Sequence, residues 1–281
     1  MLPISANLGF LWTDRPLADR IRAAKAAGFD AVECHWPYNE PAEEVRAALA
    51  ETELSMLGLN TRPGELAAGE FGLSALPGRE TEARAAIDDA VNYARAIGAS
   101  AVHVMAGKVA EGEEKAAHET YLGNLAYACD KAAGKAGKKG GKKAGKKTAK
   151  SDGDAGLTIL IEPVNAYDAS GYFLQYAGFA KEIVTALGEP NLKILFDCYH
   201  IQLMQGSLYR WIEHLLPLIG HIQIAAVPTR AEPDEGEIAY DRLIAMIESL
   251  GYDGHIGAEY KPRGDVEDGL GWLAAFRAAW A

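Results

Sequence analysis

The chain lacks any apolar run approaching the roughly 18 to 20 residues that a membrane-spanning helix needs. Its hydrophobic fraction of 49% and mean hydropathy of −0.10 suit a large buried core and imply no membrane partner. The first residues, MLPISANLGF, place no basic segment ahead of a long apolar stretch, so no secretory leader is expected. Cysteine is scarce. Cys34, Cys129 and Cys198 form an odd, widely spaced set, which argues against a disulfide framework or a CxxC zinc site and for a reducing cytoplasm. Basic charge is also in deficit, with 28 Lys and Arg against 39 Asp and Glu and a formal net charge of −11. Nine of those lysines fall in KAAGKAGKKGGKKAGKKTAK, residues 131–150, which holds no acid; without these nine positive charges the rest of the chain carries −20. An acidic body offers no groove to a polyanion, so no nucleic-acid partner is expected.

The 281 residues suffice for one large α/β domain or two small ones. Eight short apolar runs read as strands buried on both faces: 4–10, 31–36, 55–60, 101–107, 157–163, 192–198, 221–225 and 255–260. Helical patterns lie between them. RPLADRIRAAKAAGF stops at Gly28, GRETEARAAIDDAVNYARAIGA at Gly98, and DRLIAMIESLGYDG at Gly251. Strand and helix in alternation, eight times over, predict a single-domain (β/α)8 TIM barrel. A doubly wound open sheet is the alternative, but no glycine-rich fingerprint follows the first strand. The Lys/Gly/Ala stretch at 133–154 cannot bury an apolar face. It follows a helix expected at about 112–132 and precedes the fifth strand, which predicts a solvated insertion on the N-terminal face. GGKKAGKKT resembles a phosphate-binding loop, with Gly140, Gly145 and Lys146 correctly spaced. Lys147 stands where Ser or Thr is required and no strand precedes it, so the match is compositional.

Four of the runs carry a hard oxygen ligand at or near their C-terminal ends: Glu162 in LTILIEP, Asp197 in LKILFDC, Gln223 in HIQIA and Glu259 in HIGAEY. Taken singly, each could cap or hydrogen-bond a strand end. On consecutive barrel strands they converge at one mouth, where barrel enzymes build their sites. Three carboxylates and an amide suit one divalent cation, Mg2+ or Mn2+, with room for substrate oxygens. His200 in DCYH, Arg230 in QIAAVPTR and Lys261 in EYKP follow these ends and are candidates to bind an anionic substrate group. For Arg230 a local ion pair with Glu232 or Glu235 is the competing expectation. His221 is expected one pleat below Gln223, as a core histidine. Asn7, Trp36 and Asn60 are as much packing residues as pocket residues. His35 and His103 also lie on strands, and the third and fourth strand ends, LGLNTR and HVMAG, offer no ligand histidine.

The segments SANLGFLWTD, GFDAVECHWPY, GELAAGEFGLSALPGRE, LIEPVNAYDASGYFL, LKILFDCYHIQLMQG, IGHIQIAAVPTRAEPDEGEI and GYDGHIGAEYKPRGD resemble the hydroxypyruvate isomerase family of xylose-isomerase-like barrels. The likeness spans nearly the whole chain apart from the lysine stretch. It implies that Glu162 and Glu259 are the catalytic acid/base pair and that Asp197 and Gln223 complete the metal site. The implied reaction interconverts hydroxypyruvate and tartronate semialdehyde through an enediolate, so the expected partner is a small anionic keto acid. Such barrels often associate, so a homo-oligomer is a further expectation. Two enzymatic alternatives keep barrel and metal: a 2-oxotetronate isomerase and a ketose 3-epimerase. An abasic-site endonuclease would need a histidine-held zinc cluster, which the strand ends do not offer. A non-catalytic binding barrel would bind no Mg2+ or Mn2+.

Overall fold

A computed structural model describes residues 2–134 and 156–279. Most of the expected lysine-rich insertion, residues 135–155, lies outside the described residues. The strands are β1 (Ile4–Asn7), β2 (Ala31–Glu33), β3 (Ser55–Met56), β4 (Gly58–Asn60), β5 (Ala101–His103), β6 (Thr158–Ile161), β7 (Leu192–Asp197), β8 (Ile219–Ile224) and β9 (Ile256–Ala258). The α-helices are α1 (Leu17–Ala26), α2 (Ala42–Thr52), α3 (Glu80–Ile97), α4 (Glu114–Ala132), α5 (Ala177–Leu187), α6 (Cys198–Met204), α7 (Leu208–Leu215), α8 (Tyr240–Ser249), α9 (Val266–Gly269) and α10 (Gly271–Ala279).

The sheet runs β3-β2-β1-β9-β8-β7-β6-β5-β4, and every neighbouring pair is parallel. The third expected strand, 55–60, is interrupted at Leu57 and appears as β3 and β4. The break adapts one stave to two neighbours. Leu57 N–H donates to Val32 O, Cys34 N–H to Gly58 O and Asn60 N–H to His35 O. These bonds join β2 to β4 and close the circle into the expected TIM barrel.

Strand residues are buried because helices cover the outside and side chains fill the inside. The helices form where the sequence predicts. α3 buries Ala83, Ala86, Ile87, Ala90, Val91, Ala94 and Ile97, the helical spacing of one apolar stripe. It stops at Gly98, whose φ of 77° is a left-handed conformation that glycine adopts without a Cβ clash. Several strands end short of expectation: the first at Asn7 rather than 10, the second at Glu33 rather than 36, and the fourth at His103 rather than 107, which puts the His103 imidazole at the barrel mouth.

No helix among the described residues is long and apolar enough to cross a membrane. Cys34, Cys129 and Cys198 are buried thiols. The flanks of the lysine-rich stretch lie side by side: a Cβ built on Gly156 would stand 3.6 Å from Ala132 O at the end of α4.

Candidate active site

Asp197 is the last residue of β7 and caps α6, its Oδ1 accepting the Tyr199 N–H at 2.8 Å. That bond spends one carboxylate oxygen on the helix N-terminus and leaves Oδ2 facing inward. Glu162 follows β6, Glu259 follows β9, and His200 stands on the first turn of α6. One ligand atom from each of Glu162, Asp197, His200 and Glu259 lies within 4.8 Å of all the others, and all four residues are buried. The site therefore assembles three of the four expected ligands and adds His200.

Glu259 is held by donors. Its Oε1 accepts from Asn7 Nδ2 at 3.0 Å and lies 2.9 Å from His35 Nε2, while Oε2 accepts from Arg230 Nη2 at 2.9 Å. Asn7 cannot turn its amide round, because its Oδ1 accepts the Gly9 N–H. His35 comes this close only because residue 9 is glycine; a Cβ there would lie 2.2 Å from His35 Nδ1. Burial would raise the Glu259 carboxyl, but the His35 hydrogen bond and the Arg230 charge outweigh it and hold it at about 2. Glu162 has the opposite surroundings. Burial, then the charges of Glu259 and Asp197, push its carboxyl well above the ordinary range. Burial and the Glu259 charge likewise bring Asp197 up to about 7. Two glutamates thus face one cavity with their proton affinities pushed apart.

Arg230 is turned into the site. The competing pair with Glu232 or Glu235 does not form, because Arg263 takes Glu232, Asp234 and Glu235 at 2.9, 2.9 and 2.7 Å. The Arg230 guanidinium lies 5.0 Å from the ring centroids of both Phe10 and Tyr199. Its backbone adopts φ 57°, a left-handed conformation that costs a residue with a Cβ roughly 1–2 kcal/mol. The Arg230 N–H bond to Ala226 O and the Lys261 N–H bond to Arg230 O hold it there. His200 is neutral, since burial and the Arg230 charge depress it to about 3. Its Nδ1 accepts the backbone N–H of Asn165 at 3.3 Å, which leaves the proton on Nε2. Nε2 therefore donates, and it lies 3.4 Å from Arg230 Nη2. Two donors converge where an anionic oxygen would sit.

Gln223 pairs in register with Asp197 and lies beside Glu33 and His221, lining a cavity of about 150 Å³ beneath the mouth. Lys261 sits at the rim of the mouth, its Nζ 6.0 Å from the Phe10 centroid. His221 is buried as expected, but it is paired: its Nε2 lies 2.9 Å from Glu33 Oε2. His103 lies with Nδ1 3.5 Å from Glu162 Oε2, and burial depresses it to about 4. Sequence reasoning missed Glu33, Asn165 and Asp168. A carboxylate inside the buried run AVE was the available signal for Glu33. The mouth cavity, of about 480 Å³, has Glu162, Glu259, His200 and Arg230 at its polar floor and Phe10, Trp36 and Phe71 among its walls.

The residues fit a cation. Glu162 Oε1, Asp197 Oδ2 and Gln223 Oε1 are buried acceptors with no hydrogen-bond donor among the described residues. Such oxygens are rare in folded proteins without a bound ion or water. A family model described as xylose isomerase-like TIM barrel matches residues 21–276. The chain belongs to the xylose isomerase-like TIM-barrel family. Within it, a protein of Cupriavidus necator named 2-oxo-tetronate isomerase is 42% identical over 273 residues, 97% of each chain. A hydroxypyruvate isomerase of Escherichia coli is 36% identical over 278 residues, 99% of this chain and 100% of its own. A crystal structure from Brucella melitensis, described as AP endonuclease, family 2, superposes with a TM-score of 0.88 at 38% identity, covering 98% of this chain and 99% of that one. The curated relatives support an isomerase of this family. The buried cluster of Glu162, Asp197, His200 and Glu259 could hold a metal ion.

Proposed function

We propose that the chain interconverts hydroxypyruvate and tartronate semialdehyde, as an aldose-ketose type isomerase. The observation that carries the reading is the pair of buried glutamates, Glu162 and Glu259, on either side of one anion-accepting floor. In the reaction a C–H proton leaves the hydroxymethyl carbon of hydroxypyruvate and a proton is returned to the adjacent carbonyl carbon. The hydroxyl proton passes from one oxygen to its neighbour, so the atoms balance. One glutamate accepts the C–H proton and the other delivers one to the next carbon. Arg230 and the His200 Nε2–H supply positive charge and a donor for the substrate carboxylate and the developing oxyanion, and Lys261 guards the rim. The aromatic wall of Phe10, Trp36 and Phe71 keeps water from the enediolate. A hard divalent cation, Mg2+ or Mn2+, held by Glu162, Asp197, Gln223 and Glu259, would add Lewis-acid polarisation of the carbonyl.

A four-carbon 2-oxo-tetronate is the second reading. The 480 Å³ mouth exceeds what a three-carbon acid fills, and the 42% identical relative carries that name. The endonuclease name on the Brucella structure does not transfer. One histidine among three carboxylates is not a histidine-held zinc cluster, and the body is strongly acidic. The test is kcat/KM for hydroxypyruvate and for 2-oxo-tetronate, with and without chelator. The expected result is chelator-sensitive turnover of hydroxypyruvate. Turnover of the tetronate alone would establish the second reading, and turnover of neither would refute both.

A further inference from the structure

Glu33 ends β2 inside the barrel, one layer below the mouth, and is 4% exposed. A carboxylate there is costly unless it is paired and hydrogen-bonded. Its Oε2 receives two groups, Gln223 Nε2 at 3.2 Å and His221 Nε2 at 2.9 Å. The Gln223 atom facing that oxygen is the amide nitrogen, which donates to it. The amide oxygen is then forced to the other side. That oxygen, Gln223 Oε1, is buried and meets no donor among the described residues. Gln223 pairs in register with Asp197, whose own Oδ2 is equally without a donor. The trio is packed against β9 at a residue without a side chain. A Cβ on Gly257 would stand 2.3 Å from Glu33 Oε1, 2.7 Å from His221 Nε2 and 2.9 Å from Gln223 Cγ.

We propose that Glu33 is a positioning residue: braced by His221, it locks the Gln223 amide so that its oxygen is presented to the cation site. The proposal rests on the metal reading given above. Groups that orient a metal ligand from behind matter for affinity, and their loss typically weakens binding roughly 10- to 100-fold.

The experiment is Mn2+ titration calorimetry on chelator-stripped full-length protein. Glu33→Gln is isosteric, but its amide can present an NH2 to Gln223 and reverse it. Mn2+ affinity is expected to fall by roughly 10- to 100-fold. In a Gln223→Ala background the same substitution is expected to add less than about threefold, because the amide it acts through is gone. Combining Glu33→Gln with Gln223→Glu is expected to restore affinity, since a carboxylate at 223 needs no orientation. Gly257→Ala crowds the trio without changing any charge, and offers a second route should Glu33→Gln not fold. It too is expected to weaken Mn2+ binding only while Gln223 is present. Unchanged affinity in Glu33→Gln or Gly257→Ala overturns the proposal. An equal loss without Gln223 does so as well, because Glu33 would then act through its charge alone. A wild-type chain that takes up no Mn2+ refutes the metal reading itself, and this proposal with it.

Discussion

Replacing Glu162 with glutamine removes one negative charge from a buried group of three carboxylates whose ligand atoms lie within 4.8 Å of one another. Two unit charges at 4.8 Å repel by about 3.5 kcal/mol at an effective dielectric constant of about 20. Glu162 faces two such neighbours, Asp197 and Glu259, and Arg230 offsets part of that repulsion. The metal-free protein has another way out, which is to bind a proton. For a carboxyl of ordinary value 4.5 that escape costs about 3 kcal/mol at pH 7, which caps the penalty. Glutamine keeps the shape and carries no charge, and its NH2 can meet Asp197 Oδ2, an acceptor now without a donor. The metal-free Glu162→Gln protein is therefore expected to be more stable than wild type by about 2 kcal/mol, or roughly 4 to 8 °C in Tm. Most substitutions at buried positions go the other way. Saturating Mn2+ should reverse the order, because an ion at 100 times its Kd adds about 2.7 kcal/mol to a chain that binds it and nothing to one that does not. Turnover is expected to be lost in either condition. Thermal melts of both proteins, in chelator and in Mn2+, check all of this. A metal-free variant less stable than wild type by more than about 1 kcal/mol would refute the reasoning, since Glu162 would then be a satisfied structural acceptor.

Deleting residues 135–155 and joining the flanks is expected to leave kcat/KM within roughly twofold, because Ala132 and Gly156 already lie side by side at the end of the barrel remote from the mouth; a large loss of kcat in a folded deletion protein would contradict this. Cys34, Cys129 and Cys198 are buried, and burial pushes the Cys34 thiol up to about 12, so native protein is expected to react with none of three equivalents of a thiol reagent until it unfolds. Fast labelling of the native chain would count against the packing. Partial burial holds His255 below its ordinary value of 6.5. A depressed histidine favours the folded state above the unfolded value, so this contribution is lost as pH falls from 6.5 towards the folded value. His255→Gln should flatten that part of the stability curve, by at most about 1.4 kcal/mol per pH unit.

Glu162, Asp197 and Glu259 were legible because a carboxylate at the end of an apolar run is conspicuous once the runs are known to be neighbouring barrel strands. The helix stops at Gly28, Gly98 and Gly251 were legible for a local reason: each residue takes a positive φ, which glycine adopts freely. The role of Gln223 was only half legible. Its strand and facing followed from alternation, but the carboxylate behind it sits 190 residues earlier in the chain. His200 illustrates another limit. Which of its nitrogens carries the proton depends on the Asn165 N–H, and spacing says nothing about that bond.

The sequence by itself determined the alternation of strand and helix, and hence the barrel and the end of it where polar residues gather. Apolar period and glycine stops act over a few residues, and a single chain displays them in full. Only the tertiary structure decided the partnerships across the closed circle. β1 pairs with β9, which brings Asn7 onto Glu259 from 252 residues away. It also decided that His35 rather than a neighbour steadies that glutamate, and that Arg263 releases Arg230 into the site by taking the acids beside it. These pairings depend on barrel closure and on side-chain reach in three dimensions, and no local pattern encodes either.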